Sequence, residues 1–261
     1  MAEKPKKQYF TKEIQDDVKL LLAKKYSPEQ IAGMAKKESF ACVSYERIYQ
    51  YIWDDKKQGG SLHTHLRNKG KRYRKRGSAK DSRGIITGRI DISKRPAVVE
   101  QRERFGDLEI DTIIGKNHKG AIVTINDRAT GMLKMKKVST KEAEPVKQAT
   151  IELLKDWKPF IHTLTADNGK EFALHHQISQ SLQLQFFFAK PYHSWERGSN
   201  ENLNGLIRQY IPKKTDFNTL TDIDIQYIED ELNNRPRKRY NFETPLNQFN
   251  QLTNQKVAFK T

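Results

Sequence analysis

From Gly106 onward the apolar residues of this chain change their spacing from helical to alternating, and that switch limits the fold more than any other feature. Runs rich in Ile, Val, Thr or Leu occupy 107–114, 121–127 and 131–138 with turn residues between them, which predicts a three-stranded meander. A helix over 140–157, an apolar run at 161–165, a polar helix start at Asn168-Gly169 and a short strand at 186–188 continue the pattern. The order is βββαβαβα, which belongs to the α/β class.

Before Gly106 the helical period rules. Ile14, Val18, Leu21 and Leu22 mark a first helix between Thr11 and Tyr26. Ser27-Pro28-Glu29-Gln30 supplies a capping hydroxyl, a proline at the first helical position and a Gln at N3, starting a second helix through Ile31, Ala32 and Ala35. Ser44 can cap a third, from Tyr45 to Asp55, with Tyr45, Ile48 and Ile52 on one side. Three compact helices suggest an N-terminal all-α helix-turn-helix domain. A generic three-helix bundle is the alternative, because the connection from Glu38 to Val43 exceeds the usual turn of about 3 to 4 residues. On the first reading Arg47 and Gln50, both off the apolar stripe, are the candidates for base contacts.

Charge says what the partner is. Lys and Arg number 48 against 32 Asp and Glu, a net +16, and residues 1–95 hold 24 basic against 11 acidic side chains. The N-terminal third therefore carries the footprint of a polyanion, double-stranded DNA. Arg67, Lys69, Lys71, Arg72, Arg74, Lys75 and Arg76 form a run with Tyr73 and no acid among them, suited to phosphates. Residues 78–98 mix Gly, Ser, Pro and charge with little periodicity and read as linker. The expected organisation is a helix-turn-helix domain over 1–60, a basic linker over 61–98, a catalytic domain over 99–215 and a helical extension of that core over 216–261.

Cys42 is the single cysteine, which excludes an intrachain disulfide and any zinc site built on paired cysteines. His63/His65 and His175/His176 do not spell a zinc site either. No run approaches the roughly 18 apolar residues of a membrane span. A soluble protein of the bacterial cytoplasm, associated with the nucleoid, is the expectation.

Asp107, Glu109 and Asp111 alternate along the first strand, so all three carboxylates project from one face, which is costly unless that face is wet or holds a cation. Asp167 ends the 161–166 run before the Asn168-Gly169 turn, where a carboxylate can leave the sheet edge and meet the first strand. Glu201 shares a helix face with Asn204 and Arg208, opposite Leu203, Ile207 and Tyr210. Each acid alone is ordinary surface. Acids from three separate elements, however, meet the need of two Mg²⁺ ions, about 3.5 to 4 Å apart, that clamp the attacking and leaving oxygens of a phosphoryl displacement.

With these residues in view, the sequence resembles the insertion sequence 30 family of bacterial transposases, whose RNase H-like DDE core is shared with retroviral integrases. GDLEIDTIIG is similar to the family's first-strand segment, TLTADNGKEF to its second-aspartate segment, PYHSWERGSNENLNGLIRQYIPK to its glutamate segment and NNRPRKRYNFETPLNQF to its C-terminal tail. The 33 residues between Asp167 and Glu201 are the interval the family uses. The resemblance implies a mixed five-stranded sheet flanked by helices, with Asp111, Asp167 and Glu201 as the catalytic and metal-holding acids. It implies two Mg²⁺ ions, with Mn²⁺ as substitute, and cleavage at element ends followed by attack of the freed 3′-hydroxyl on another phosphodiester. Two DNA ends must be synapsed, so a homodimer or higher homo-oligomer on DNA is expected. The family usually has Trp where Leu108 stands and Gly where Ile110 stands, and many members carry a further N-terminal helix-turn-helix module that is not expected here.

Glu109 is the rival metal ligand on the strand, with a supporting role, orienting ligands or pairing a nearby base, as the favoured assignment. Lys190, Tyr192, His193, Trp195 and Arg197 flank Glu201 in a basic-aromatic mixture suited to phosphate contacts and stacking, or to core packing for the aromatics. Arg208 shares the Glu201 face, and Arg235 and Arg237, with Lys238 and Arg239, follow a helix over 221–233; all are candidates for DNA. Two other functions share these features: an RNase H-like nuclease acting on hybrids or branched DNA, and a repressor whose core no longer turns over.

Overall fold

The computed structural model describes residues 9–68, 86–190 and 198–258. They divide into two compact units, a helical one over 9–68 and 235–244, and a sheet-centred one over 86–190, 198–234 and 245–258.

In the helical unit, α1 (Lys12–Ala23), α2 (Pro28–Glu38) and α3 (Tyr45–Lys57) each start at a hydroxyl cap. Thr11 accepts from the Ile14 amide, Ser27 and Gln30 complete a reciprocal capping box, and Ser44 accepts from the Arg47 amide. Ile14, Val18, Leu22, Ile31, Ile48 and Ile52 close one core, each such side chain contributing roughly 1.5–3 kcal/mol of burial. Sequence analysis assigned all of 216–261 to the catalytic core, but 235–244 cluster with this unit. Arg235 Nε donates to Gln30 Oε1, Gln30 Nε2 donates to the Pro236 carbonyl, and Lys37 pairs with Glu243. Gly33 is required on α2 because a Cβ there would run into the Phe242 ring.

The sheet unit contains α4 (Val98–Gln101), β1 (Asp107–Ile114), β2 (Ala121–Asp127), β3 (Leu133–Val138), α5 (Ala143–Leu154), β4 (Thr163–Ala166), α6 (His175–Leu182), β5 (Gln185–Phe188), α7 (Gly198–Tyr210), α8 (Asp222–Asn233) and α9 (Pro245–Ala258). The strands order as β3-β2-β1-β4-β5, antiparallel across the meander and parallel from β1 through β4 to β5. This is the mixed five-stranded, RNase H-like sheet expected from the sequence. Leu108, Ile110, Val123 and Ile125 pack with Val146, Ala149 and Ile178 on one face. Ile113, Ile122, Leu133 and Met135 pack with Leu203, Ile207, Ile228 and Leu232 on the other. Period-two alternation on β1 thus feeds two cores, as a strand between helix layers must.

Both sheet edges are closed. Along β3, Glu229 and Asn233 of α8 accept from the Met135 and Leu133 amides, so helix side chains stand in for a missing strand. Along β5, the Phe188 amide donates to the Ile90 carbonyl and Asp91 bridges Phe188 in parallel. Sequence analysis read this stretch as linker; instead Ile86 and Ile92 are buried and 86–95 is part of the sheet unit. Too few apolar residues recur there for a periodic signal, because only two anchors hold it. Among the described residues no helix is long and apolar enough to cross a membrane.

Candidate active site

The polar face of β1 is built in layers. At the bottom, Asp107 takes two donors from Arg104, at 2.6 and 3.0 Å, and one from Thr163 Oγ1 at 2.8 Å. One layer up, Glu109 is fully buried and pairs with Arg128, whose Nη2 also reaches Glu100 at 2.9 Å. Arg95 donates to Thr165 Oγ1 at 2.9 Å and pairs with Glu100, and burial lowers its pKa. Two arginines and two glutamates therefore neutralise one another directly below the third layer, where Asp111 sits.

Register sets what stands beside β1. Asp107 pairs with Thr163 and Glu109 with Thr165 in the parallel β1–β4 ladder. Asp111 follows two residues after Glu109 on β1, and Asp167 two residues after Thr165, directly past the end of β4 at Ala166. Asp167 Oδ1 accepts from the Gly169 amide at 2.8 Å, an Asx turn that lifts the chain off the sheet edge. Asn168 Nδ2 donates to the Ala189 carbonyl at 2.7 Å and locks that turn to the end of β5. Behind it, Glu171 is buried, accepts from Thr112 Oγ1 at 2.8 Å and pairs with Lys141 at 2.8 Å. A Cβ on Gly169 would press on the Glu171 carboxylate, which Thr112 and Lys141 hold in place.

The third acid arrives on α7. Asn204 Nδ2 donates to Asp111 Oδ2 at 2.7 Å, while Asp111 Oδ1 accepts from the Thr112 amide at 2.9 Å. Glu201 lies one turn before Asn204 and is exposed, with Leu203, Leu206 and Ile207 buried on the opposite side of the helix. The Asn204 contact thus ties the Asn204 position of α7, one turn from Glu201, to Asp111 in the middle of β1. Among the described residues, no three of His, Cys, Asp and Glu stand close enough together to hold a metal ion, so Asp111, Asp167 and Glu201 do not form a closed metal cage in this arrangement. The donor set is nevertheless all carboxylate oxygen, which suits a hard cation such as Mg²⁺.

The DNA candidates fall into three groups. Arg47 and Gln50 are exposed on α3, with Arg47 over the Phe10 ring at 5.7 Å, and Arg67 and Lys190 are exposed as well. Arg208 and Arg235 are otherwise engaged. Arg208 donates to the Ile114 carbonyl at 3.2 Å and to the Ile211 and Pro212 carbonyls at 3.5 and 3.4 Å, where the end of α7 leaves carbonyls without helical partners. Arg235 is buried against Gln30, and Arg237 is half-buried. Lys69, Lys71, Arg72, Arg74, Lys75, Arg76, Tyr192, His193, Trp195 and Arg197 lie outside the described residues. Sequence reasoning missed Arg95, Glu100, Arg128, Glu171 and Arg89; apart from the Arg95–Glu100 pair, their partners lie far along the chain and leave no local pattern.

No family model matches the sequence. Over 258 residues the chain is 57% identical to the transposase for insertion sequence element IS4351 of Bacteroides fragilis, a match covering 98% of this chain and 79% of that one. It is 32% identical over 236 residues to the transposase for IS1086 of Cupriavidus metallidurans, covering 88% and 70%. It is 34% identical over 243 residues to the transposase InsI for IS30A of Escherichia coli K12, covering 87% and 62%. Among solved structures it is similar to the catalytic core domain of BIV integrase at a TM-score of 0.47 and 16% identity, over 57% of this chain and 97% of that one. The matches to the IS4351 and IS1086 transposases identify the chain as a member of the insertion-sequence transposases.

Proposed function

We propose that this chain binds the terminal inverted repeats of its element and catalyses metal-dependent strand cleavage and 3′-hydroxyl strand transfer, with Asp111, Asp167 and Glu201 as its catalytic acids. The observation that supports this reading is the β1–β4 ladder, in which Asp107–Glu109 pair with Thr163–Thr165, with Asp111 following on the one strand and Asp167 directly after the other. The Asn204–Asp111 hydrogen bond supports Glu201 as the third acid. Two Mg²⁺ ions, or Mn²⁺ in their place, would be held by these carboxylates and would supply charge neutralisation and an activated water at the phosphodiester. Asn204 and the Thr112 amide fix the Asp111 carboxylate, and the Gly169 amide fixes that of Asp167, so both present oxygens in set directions. Glu109, neutralised by Arg128, supports Asp111 from below rather than binding metal itself. DNA approaches along α3 through Arg47 and Gln50 and along the catalytic edge through Lys190, and two protomers synapse the two ends.

The test is nicking and joining of a duplex carrying the element's terminal repeat, with Mg²⁺ or Mn²⁺, alongside an RNA/DNA hybrid. Asp167→Asn should abolish both steps while DNA binding survives. Full joining by that variant, or cleavage confined to the hybrid, defeats the reading.

A further inference from the structure

Arg89 lies 79 residues from Asn168 in sequence, yet its Nη1 donates to Asn168 Oδ1 at 2.5 Å, one residue from Asp167. The Asn168 orientation is not free to vary, because its Nδ2 is committed to the Ala189 carbonyl. On either side of Arg89 the backbone is anchored by buried Ile86 and Ile92 and by the Ile90–Phe188 hydrogen bond. Gly88 makes the turn into it at φ +72°, where a Cβ would also meet the His176 ring. A fixed backbone therefore presents an exposed Arg89 beside the Asp167–Gly169 turn. Only one of an arginine's five N–H donors is needed for Asn168, which leaves a planar fork of the kind that takes a phosphate bidentately. Exposed Lys190 stands on the same edge: the Asp91 carboxylate, on the next strand position, is held below its usual range by the Ser93 amide and hydroxyl and then by the Lys190 and Arg89 charges.

We propose that Arg89, with Lys190 beside it, is a binding site for a DNA backbone phosphate flanking the one that reacts at Asp111 and Asp167. The site rests on the strand-transfer reading, and its function is to hold the substrate strand in register over the acids. Pre-ordering by Asn168 lowers the ordering cost of taking up the phosphate. Arg89 belongs to a segment whose composition reads as linker, so the contact emerges only when the β5 edge is assembled.

Affinity for a terminal-repeat duplex, measured by fluorescence anisotropy in EDTA across about 50 to 200 mM salt, tests this in wild type, Arg89→Ala, Arg89→Lys and Asn168→Ala. Loss of one phosphate contact should shallow the slope of log K against log salt by about one in Arg89→Ala. Arg89→Lys, which keeps the charge, and Asn168→Ala, which keeps the guanidinium, should both hold the wild-type slope. With Mg²⁺ and saturating protein, Arg89→Ala should nick at least tenfold more slowly than wild type. A wild-type slope in Arg89→Ala overturns the proposal whatever happens to the rate, since Arg89 would then only brace Asn168. Wild-type protein that binds DNA yet never nicks or joins it would defeat the transposase reading instead, and the slope would still report on Arg89.

Discussion

Asn204 and Asp111, 93 residues apart, are joined by a 2.7 Å hydrogen bond from Nδ2 to Oδ2, and this bond ties α7 to the middle of β1. Removing it frees the Asp111 carboxylate to rotate and frees the Glu201 face of α7 to drift. Asn204→Ala should therefore lower cleavage by about ten- to a hundredfold, the usual cost of losing a group that orients a metal ligand. The Mg²⁺ concentration for half-maximal cleavage should rise in parallel. An unchanged metal dependence would show that Asp111 is held by its neighbours on the strand alone.

Gly169 adjoins the Glu171 carboxylate, and its φ of −70° is open to any residue, so an added Cβ would bear on Glu171 rather than strain the backbone. Gly169→Ala should push the Asp167 turn away from Glu171. A displacement of about 1 Å costs on the order of a hundredfold in rate. The variant should fold and bind DNA as wild type does, and a cleavage rate within twofold of wild type would count against the brace.

Much of this site was legible in the sequence. The alternation of Asp107, Glu109 and Asp111 gave the strand and its polar face, and Ser27, Ser44 and Gly106 punctuated the elements as side-chain chemistry requires. What the alternation could not decide was which acid does what. Asp107 and Glu109 are consumed by Arg104 and Arg128, and the last of these comes from the β2–β3 turn, where nothing in TINDRAT signals a buried cation. Arg208 and Arg235 illustrate the converse: a basic side chain looks the same in sequence whether it faces phosphates or, as here, backbone carbonyls and a half-buried Gln.

Glu109 and Arg128 are almost wholly excluded from solvent, so neither tolerates the loss of the other. Arg128→Met leaves a buried carboxylate without its cation and should destabilise the sheet unit by about 3–5 kcal/mol. Adding Glu109→Gln removes the stranded charge and should restore a large part of that loss. Urea unfolding of the two single variants and the double variant measures the coupling. Strict additivity would mean that the pair is not a pair in solution.

Asp127 closes the β2–β3 turn, accepting from the Gly106 amide at 2.9 Å and from the Thr130 amide and hydroxyl at 2.7 Å each. Burial outweighs these donors and pushes its pKa up to about 6, from 3.8. The folded state therefore holds a proton that the unfolded state releases between those values. This contribution to stability is fully present below about pH 4 and is lost as pH rises through 6. Denaturation midpoints of wild type should fall across that window relative to those of Asp127→Asn, whose amide does not titrate. A constant difference from pH 4 to 7 would show that the carboxyl ionises in the folded state as readily as in the unfolded one.

Arg208 separates structural arginines from those that meet DNA. Its guanidinium spans the Ile114, Ile211 and Pro212 carbonyls, two of the three contacts being long at 3.4 and 3.5 Å. Arg208→Ala should thus cost only about 1–2 kcal/mol, within the range for hydrogen bonds to a charged donor after discounting the long ones. Because the guanidinium faces carbonyls, the salt dependence of DNA binding should not change, in contrast to Arg89→Ala. A shallower slope with an unaltered melting temperature would place Arg208 on the phosphates and require the end of α7 to release it when DNA binds.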